Sequence, residues 1–303
     1  MHALPCYLVA KSKGILEERA TQLEERLASC TLCPRQCRVN RLEGALGYCE
    51  APAELVISSV LAHYGEESPL VGVGGSGTIF LTHCNLKCLF CQNYEISMKG
   101  EGLSYSHKEL AAAMIDLQRR GCHNINFVTP THYVPAILRG LSLAIDQGLF
   151  IPLVYNCSGY ESLEVVKLLE GIVDVYMPDI KFLRRELSDR YCSAPDYPDV
   201  VREILKEMQR QVGDLVVDDR GIAQRGLLIR HLVMPSHGEN TKDVLDFIRQ
   251  ELSQDAFVNI MAQYHPCYQA SRFEEISRRP SLKEYNEAME YARQIGLRRA
   301  GHK

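Results

Sequence analysis

Short apolar runs alternate with longer stretches of helical periodicity through most of this chain. The runs are 78–82 (TIFLT), 125–129 (INFVT), 151–155 (IPLVY), 172–177 (IVDVYM), 227–233 (LLIRHLV) and 257–263 (FVNIMAQ). Each is nearly continuous in apolar residues, the pattern of parallel strands buried on both faces. Between them, 107–120, 134–147, 160–170, 198–212 and 240–253 carry apolar positions at helical spacing. Six such β/α units predict an α/β fold, a partial (βα)6 TIM-like barrel rather than a closed eightfold one. Leu215-Val216-Val217 with the turn Asp218-Asp219-Arg220-Gly221 predicts a hairpin before the fifth strand. Helices are predicted at 15–29, with Leu16, Leu23 and Leu27 on one face, and at 281–295. Residues 71–77 (VGVGGSG) lack the spacing and the following helix of a dinucleotide fingerprint, and predict a linker or turn.

This pattern divides the chain into an N-terminal helix and cysteine-rich segment (1–75), a barrel (76–270) and a C-terminal helical extension (271–303). The 303 residues are 46% hydrophobic and 24% charged, with a formal net charge of −4, as in ordinary globular proteins. No block of Lys and Arg stands out, so no nucleic-acid partner is expected. No apolar run reaches the roughly 18 residues that cross a bilayer. The opening MHALPCYLVAKSKG is too short in apolar residues for a secretory signal. A cytoplasmic protein without membrane contact is expected. Twelve cysteines are many, and in that compartment they point to metal ligation more than to disulfides.

Ligands of parallel α/β barrels collect at the carboxyl ends of the strands. Polar residues follow every one of the six runs here. Cys84-x3-Cys88-x2-Cys91 follows the first, and Thr129-Pro130-Thr131-His132 the second. The third ends Asn156-Cys157-Ser158-Gly159, and the fourth Pro178-Asp179-Ile180-Lys181. The fifth contains Arg230, and the sixth ends Tyr264-His265. Three thiolates on one loop can hold three irons of a [4Fe–4S] cluster and leave the fourth open to an exogenous ligand. A structural zinc or closed cluster with its fourth ligand from elsewhere is the plainer alternative. Lys181 with Asp179 also reads as a surface ion pair of little worth.

The cysteine triplet, with Phe90 just before its third member, resembles the signature of the radical S-adenosylmethionine (SAM) superfamily. The order of CNLKCLFCQN, Asn-Cys-Ser-Gly, Asp-Ile-Lys, the strand-five Arg and the Tyr-His resembles pyruvate formate-lyase activating enzymes, and most of all their PflX-type homologues. The resemblance covers roughly 76–270. It implies a barrel of the radical SAM type and a [4Fe–4S] cluster on Cys84, Cys88 and Cys91. It also implies SAM bound on the open iron, held by Asn156, Ser158, Lys181, Arg230 and His265, with Phe90 near the adenine. Where the family has a Gly-Gly-Glu turn for the SAM amine, this chain has Thr129, Thr131 and His132. The implied activity is reductive cleavage of SAM and hydrogen abstraction, fed by a ferredoxin or flavodoxin. Activation of a glycyl-radical enzyme or another protein modification is the expected use, a peptide or small metabolite the alternative, and a non-catalytic metal scaffold a further one.

Cys30-x2-Cys33-x3-Cys37-x11-Cys49 is a second, four-thiolate set. It predicts a closed site for zinc or a second cluster, stapling a segment too short for its own core.

Overall fold

The computed structural model describes residues 4–301. The six apolar runs form six parallel strands: β2 (Ser76–Leu81), β4 (Ile125–Val128), β5 (Leu153–Cys157), β6 (Val175–Pro178), β8 (Ala223–Leu232) and β9 (Phe257–Met261). They lie side by side in that order, every neighbouring pair parallel. The sheet stays open. One edge is extended by β10 (Arg299–Gly301), parallel to β9. The other carries β1 (Leu55–His63), antiparallel to β2, and then β3 (Leu103–Tyr105). The predicted hairpin is present as β7 (Val216–Val217) antiparallel to β8.

Helices cover the sheet between strands. They are α5 (His107–Arg119), α6 (Val134–Asp146), α7 (Leu163–Leu168), α8 (Arg185–Cys192), α9 (Tyr197–Val212) and α10 (Gly238–Phe247), with α4 (Tyr94–Lys99) after the cysteine triplet. Ser106 caps α5 and Glu109 reaches back to it, so the start of that helix is fixed by two reciprocal hydrogen bonds. The same device starts α11 (Leu282–Gln294), with Ser281 and Glu284.

The N-terminal helices α1 (Cys6–Ser12) and α2 (Ile15–Glu25) share the main core: Tyr7, Leu16 and Leu23 are buried in the same apolar cluster as the barrel helices. The predicted 15–29 helix stops at Glu25, and Leu27 is buried beyond its end. The sequence boundary at 75/76 falls inside one sheet, since β1 pairs with β2 across it. The glycine stretch at 71–77 is a packed turn, not a loose linker. A Cβ on Gly74 would stand 1.9 Å from the Gly121 carbonyl oxygen, an approach only glycine allows. Just before it, α3 (Ser68–Val71) turns under the barrel.

Candidate active site

A cavity of about 380 Å³ opens within the barrel. Cys84, Cys88 and Cys91 are in its wall, brought there by the loop that leaves the carboxyl end of β2. That loop is wound tightly: His83 and Lys87 both take left-handed backbone, with φ of 66° and 55°. Non-glycine residues adopt this conformation at a cost and cluster at functional loops. Burial pushes the Cys84 thiol up to about 12, so a thiolate there needs a compensating cation. Ser97 Oγ lies 3.1 Å from Cys91 Sγ, and the Cys192 thiol reaches Cys88 Sγ at 3.4 Å.

A further part of the lining comes from the ends of β5, β6 and β8. Asp179 joins two cations, accepting from Lys181 Nζ at 2.9 Å and Arg230 Nε at 2.8 Å. Arg230 also donates to Asn156 Oδ1 at 2.7 Å. Burial works against all these charges. The two cations outweigh it at Asp179, holding its carboxyl below the usual range. Asp179 in turn keeps the Lys181 ammonium well above its ordinary pKa despite burial. The result is a fixed charged network, no longer the surface ion pair that the sequence left open. Ser158 lines the same cavity, and its buried Oγ has no hydrogen-bond partner.

The Thr-Pro-Thr-His turn divides. Thr129 lines the cavity with φ of 59°, an uncommon setting for a β-branched residue, and its N–H donates to the Asn156 carbonyl at 2.8 Å. Thr131 and His132 face the scaffold. Thr131 Oγ1 donates to buried Glu161 Oε1 at 2.7 Å, and His132 Nε2 donates to the Thr82 carbonyl at 2.7 Å. Burial holds the His132 imidazole neutral, with its pKa lowered to about 3. Phe90 is likewise outside the cavity lining. It packs edge-on against Phe182 and Tyr264, where an apolar ring gains more than on a polar wall. His265 is half-buried beside the cavity, its Nδ1 3.2 Å from Gln92 Nε2, and Gln92 is itself in the lining.

Glu66, Glu67 and Asn259 are among the lining residues that the sequence did not single out. Cys192, which touches Cys88, is a further residue that the sequence did not single out. A charged pair after an apolar strand was the one available signal for Glu66 and Glu67. Nothing in sequence spacing marks Cys192, 104 residues from Cys88.

The second cysteine set is gathered too. Cys30, Cys33 and Cys49 are buried and Cys37 partly so, and the charges of Cys49, Cys30 and Cys37 all bear on Cys33. Burial first, then these neighbours, raises the Cys33 thiol to about 12. Among the described residues, no three His, Cys, Asp or Glu side chains are closed up around a single ion, at either cysteine set. Arg35 ties this knot to the cluster loop, donating to the carbonyls of Asn85 (3.1 Å) and Ser193 (2.6 Å) while lying over the Tyr48 ring (3.9 Å). Lys87 of that loop pairs with Glu50 at 2.7 Å.

The family model described as the radical SAM superfamily matches residues 78–250, more than half of the chain. The chain belongs to the radical SAM superfamily. Two relatives come from Methanocaldococcus jannaschii. The uncharacterized protein MJ0674 is 36% identical over 279 residues, covering 89% of this chain and 75% of its own. The uncharacterized protein MJ0808 is 24% identical over 270 residues, covering 82% and 73%. Among solved structures, Streptococcus suis SuiB superposes with a TM-score of 0.50 at 14% identity over 73% of this chain. This chain spans 47% of SuiB, and the likeness is one of fold.

Membership in the radical SAM superfamily implies a [4Fe–4S] cluster and SAM, whose reductive cleavage supplies a radical. The donor set in hand fits both. Three thiols in one wall suit a cubane loop, in which each sulfur serves a different iron rather than one shared ion. The unpartnered Ser158 hydroxyl and the Lys181–Asp179–Arg230 network offer hydrogen bonds and charge to a polar ligand. No helix among the described residues is long and apolar enough to cross a membrane.

Proposed function

We propose that this chain is an activase-type radical SAM enzyme, a PflX-type homologue of pyruvate formate-lyase activating enzymes, that takes a hydrogen atom from another protein. The observation that carries the reading is the cavity itself, lined both by three thiols and by a charged, hydrogen-bonded network. Cys84, Cys88 and Cys91 would hold the cluster. Lys181 has two N–H donors beyond its bond to Asp179, suited to a carboxylate. Asp179 fixes both cations beforehand, so binding costs little reorganisation. Asn156 and Ser158 suit ribose hydroxyls. Thr129 is the member of the Thr-Pro-Thr-His turn positioned for a SAM contact, and His265 would act from the rim. A low-potential ferredoxin or flavodoxin would supply the electron in the cytoplasm.

The four-cysteine knot fits a second centre, zinc or a cluster, because three buried cysteines and one partly buried one gather there, close enough for the charges of the others to act on Cys33. A small-molecule substrate is the second reading of the main site, favoured by the way α3 closes the barrel from below.

Deuterium transfer decides between the two. Anaerobic protein, reconstituted and reduced with dithionite, is given SAM with either the protein fraction or the small-molecule fraction of deuterated source cells. The proposal expects deuterated 5′-deoxyadenosine from the protein fraction. Label from the small-molecule fraction alone supports the second reading, and none from either contradicts both.

A further inference from the structure

The connection from β1 to β2 folds under the barrel and sends two glutamates into its cavity. His63 at the end of β1 stands opposite Ser76 at the start of β2. Residues 64–75 therefore lie at the amino ends of the parallel strands, away from the cysteine loop at the carboxyl end of β2. Leu70 of α3 packs there on Val154, Val175 and Met177, and its carbonyl accepts from Asn124 Nδ2 at 2.8 Å. This is a floor, and Glu66 and Glu67 line the cavity from it.

Glu67 is 3% exposed, and its Oε1 accepts from Asn259 Nδ2 at 2.8 Å. Its Oε2 has no hydrogen-bond partner. Asn259 is also 3% exposed, and its Oδ1 is unpartnered as well. Both are acceptors, both belong to residues lining one cavity, and buried acceptors call for donors. Lys181 bonds Asp179, and Arg230 bonds Asp179, Asn156 and Glu66, so neither donates a hydrogen bond to Glu67 Oε2 or Asn259 Oδ1. Glu66 pairs with Arg230 and stands 3.6 Å from His63, while the Glu67 carboxyl takes its hydrogen bond from the neutral Asn259 amide.

We propose that the cavity floor is a substrate subsite for a cationic nitrogen bearing N–H donors, an alkylammonium or guanidinium, held by Glu67 Oε2 and Asn259 Oδ1. The subsite rests on the reading that SAM occupies the thiol end. It narrows the substrate to a compound or side chain that carries its positive charge some distance from the atom that loses hydrogen. A lysine or arginine side chain and a free amine share this chemistry.

The test titrates n-butylammonium and n-butanol into cluster-loaded, SAM-saturated protein by calorimetry, with a lysine-containing pentapeptide as a third probe. The ammonium should bind saturably and at least about tenfold tighter than the alcohol, a difference expected of a charge-assisted contact. Glu67→Gln should abolish that preference while SAM affinity holds. Asn259→Asp, which adds charge at the same place, should strengthen it. Tighter binding of the pentapeptide assigns the subsite to a protein side chain, and equal binding assigns it to a free amine. Equal binding of ammonium and alcohol, no saturable ammonium binding, a preference that survives Glu67→Gln, or a loss of SAM affinity in that variant would overturn the proposal. Failure of the unaltered protein to bind SAM would instead tell against the reading on which it rests.

Discussion

Glu161 is 1% exposed and accepts hydrogen bonds from Thr131 and Tyr155, at 2.7 and 2.9 Å. Burial outweighs these donors and the Cys157 thiol, and pushes its carboxyl up to about 7 from 4.5. The folded-state value lies above the unfolded one. Its contribution to stability is therefore full below about pH 4.5 and is lost as pH rises through about 7. A shift of this size corresponds to at most about 3 kcal/mol. Glu161→Gln keeps an acceptor and a similar shape but cannot ionise. Urea unfolding between about pH 5 and about pH 8 should show a flatter decline for the variant than for the unaltered protein. Identical pH slopes would mean that Glu161 does not titrate in this range. The same residue explains why Thr131 is not in the cavity: its hydroxyl serves a buried carboxyl.

At the scale of elements, the four-cysteine knot braces the cluster loop. Arg35 donates to carbonyls of Asn85 on that loop and of Cys192 and Ser193 at the end of α8, so one side chain ties the knot to two other segments. Arg35→Ala should lower stability by about 1–3 kcal/mol, the range for lost bonds to a charged donor. It should also reduce iron retained after desalting, whereas replacing exposed Arg38 should do neither. Bound metal should persist at the knot when Cys84, Cys88 and Cys91 are all alanine. An Arg35→Ala protein with unchanged melting and iron, or a metal-free knot, would sink this account. The six buried strands were legible because each is a short run apolar on both faces, bounded by polar strand ends. β1 was not, because its neighbours cover it unevenly: only Leu55 and Ile57 are fully buried along it. The knot's cysteines announced themselves by spacing. Their docking through Arg35 depends on contacts 50 to 158 residues away and leaves no periodic trace.

For the whole molecule, the open parallel sheet places the thiol loop at the carboxyl ends of the strands and a plug of α3 at the amino ends. The cavity thereby runs from the sulfurs of the cysteine loop to Glu66 and Glu67 at its floor. Strand-end positions pointed from sequence to the cysteine triplet and to Asp179, Lys181 and Arg230, all of which line the cavity. Phe90 and His132 stand outside the cavity lining, because nearness in sequence to a site does not fix which way a side chain turns, and both are buried in the scaffold. The central claim is that Cys84, Cys88 and Cys91 hold a cluster with an iron open to SAM. Electron paramagnetic resonance of the anaerobically reconstituted, dithionite-reduced protein, with and without SAM, tests it most directly. The account predicts a [4Fe–4S]⁺ signal that changes on adding SAM and whose SAM-responsive part is absent from the Cys84/Cys88/Cys91→Ala protein. A signal indifferent to SAM, or a SAM response that survives in the triple variant, would contradict it.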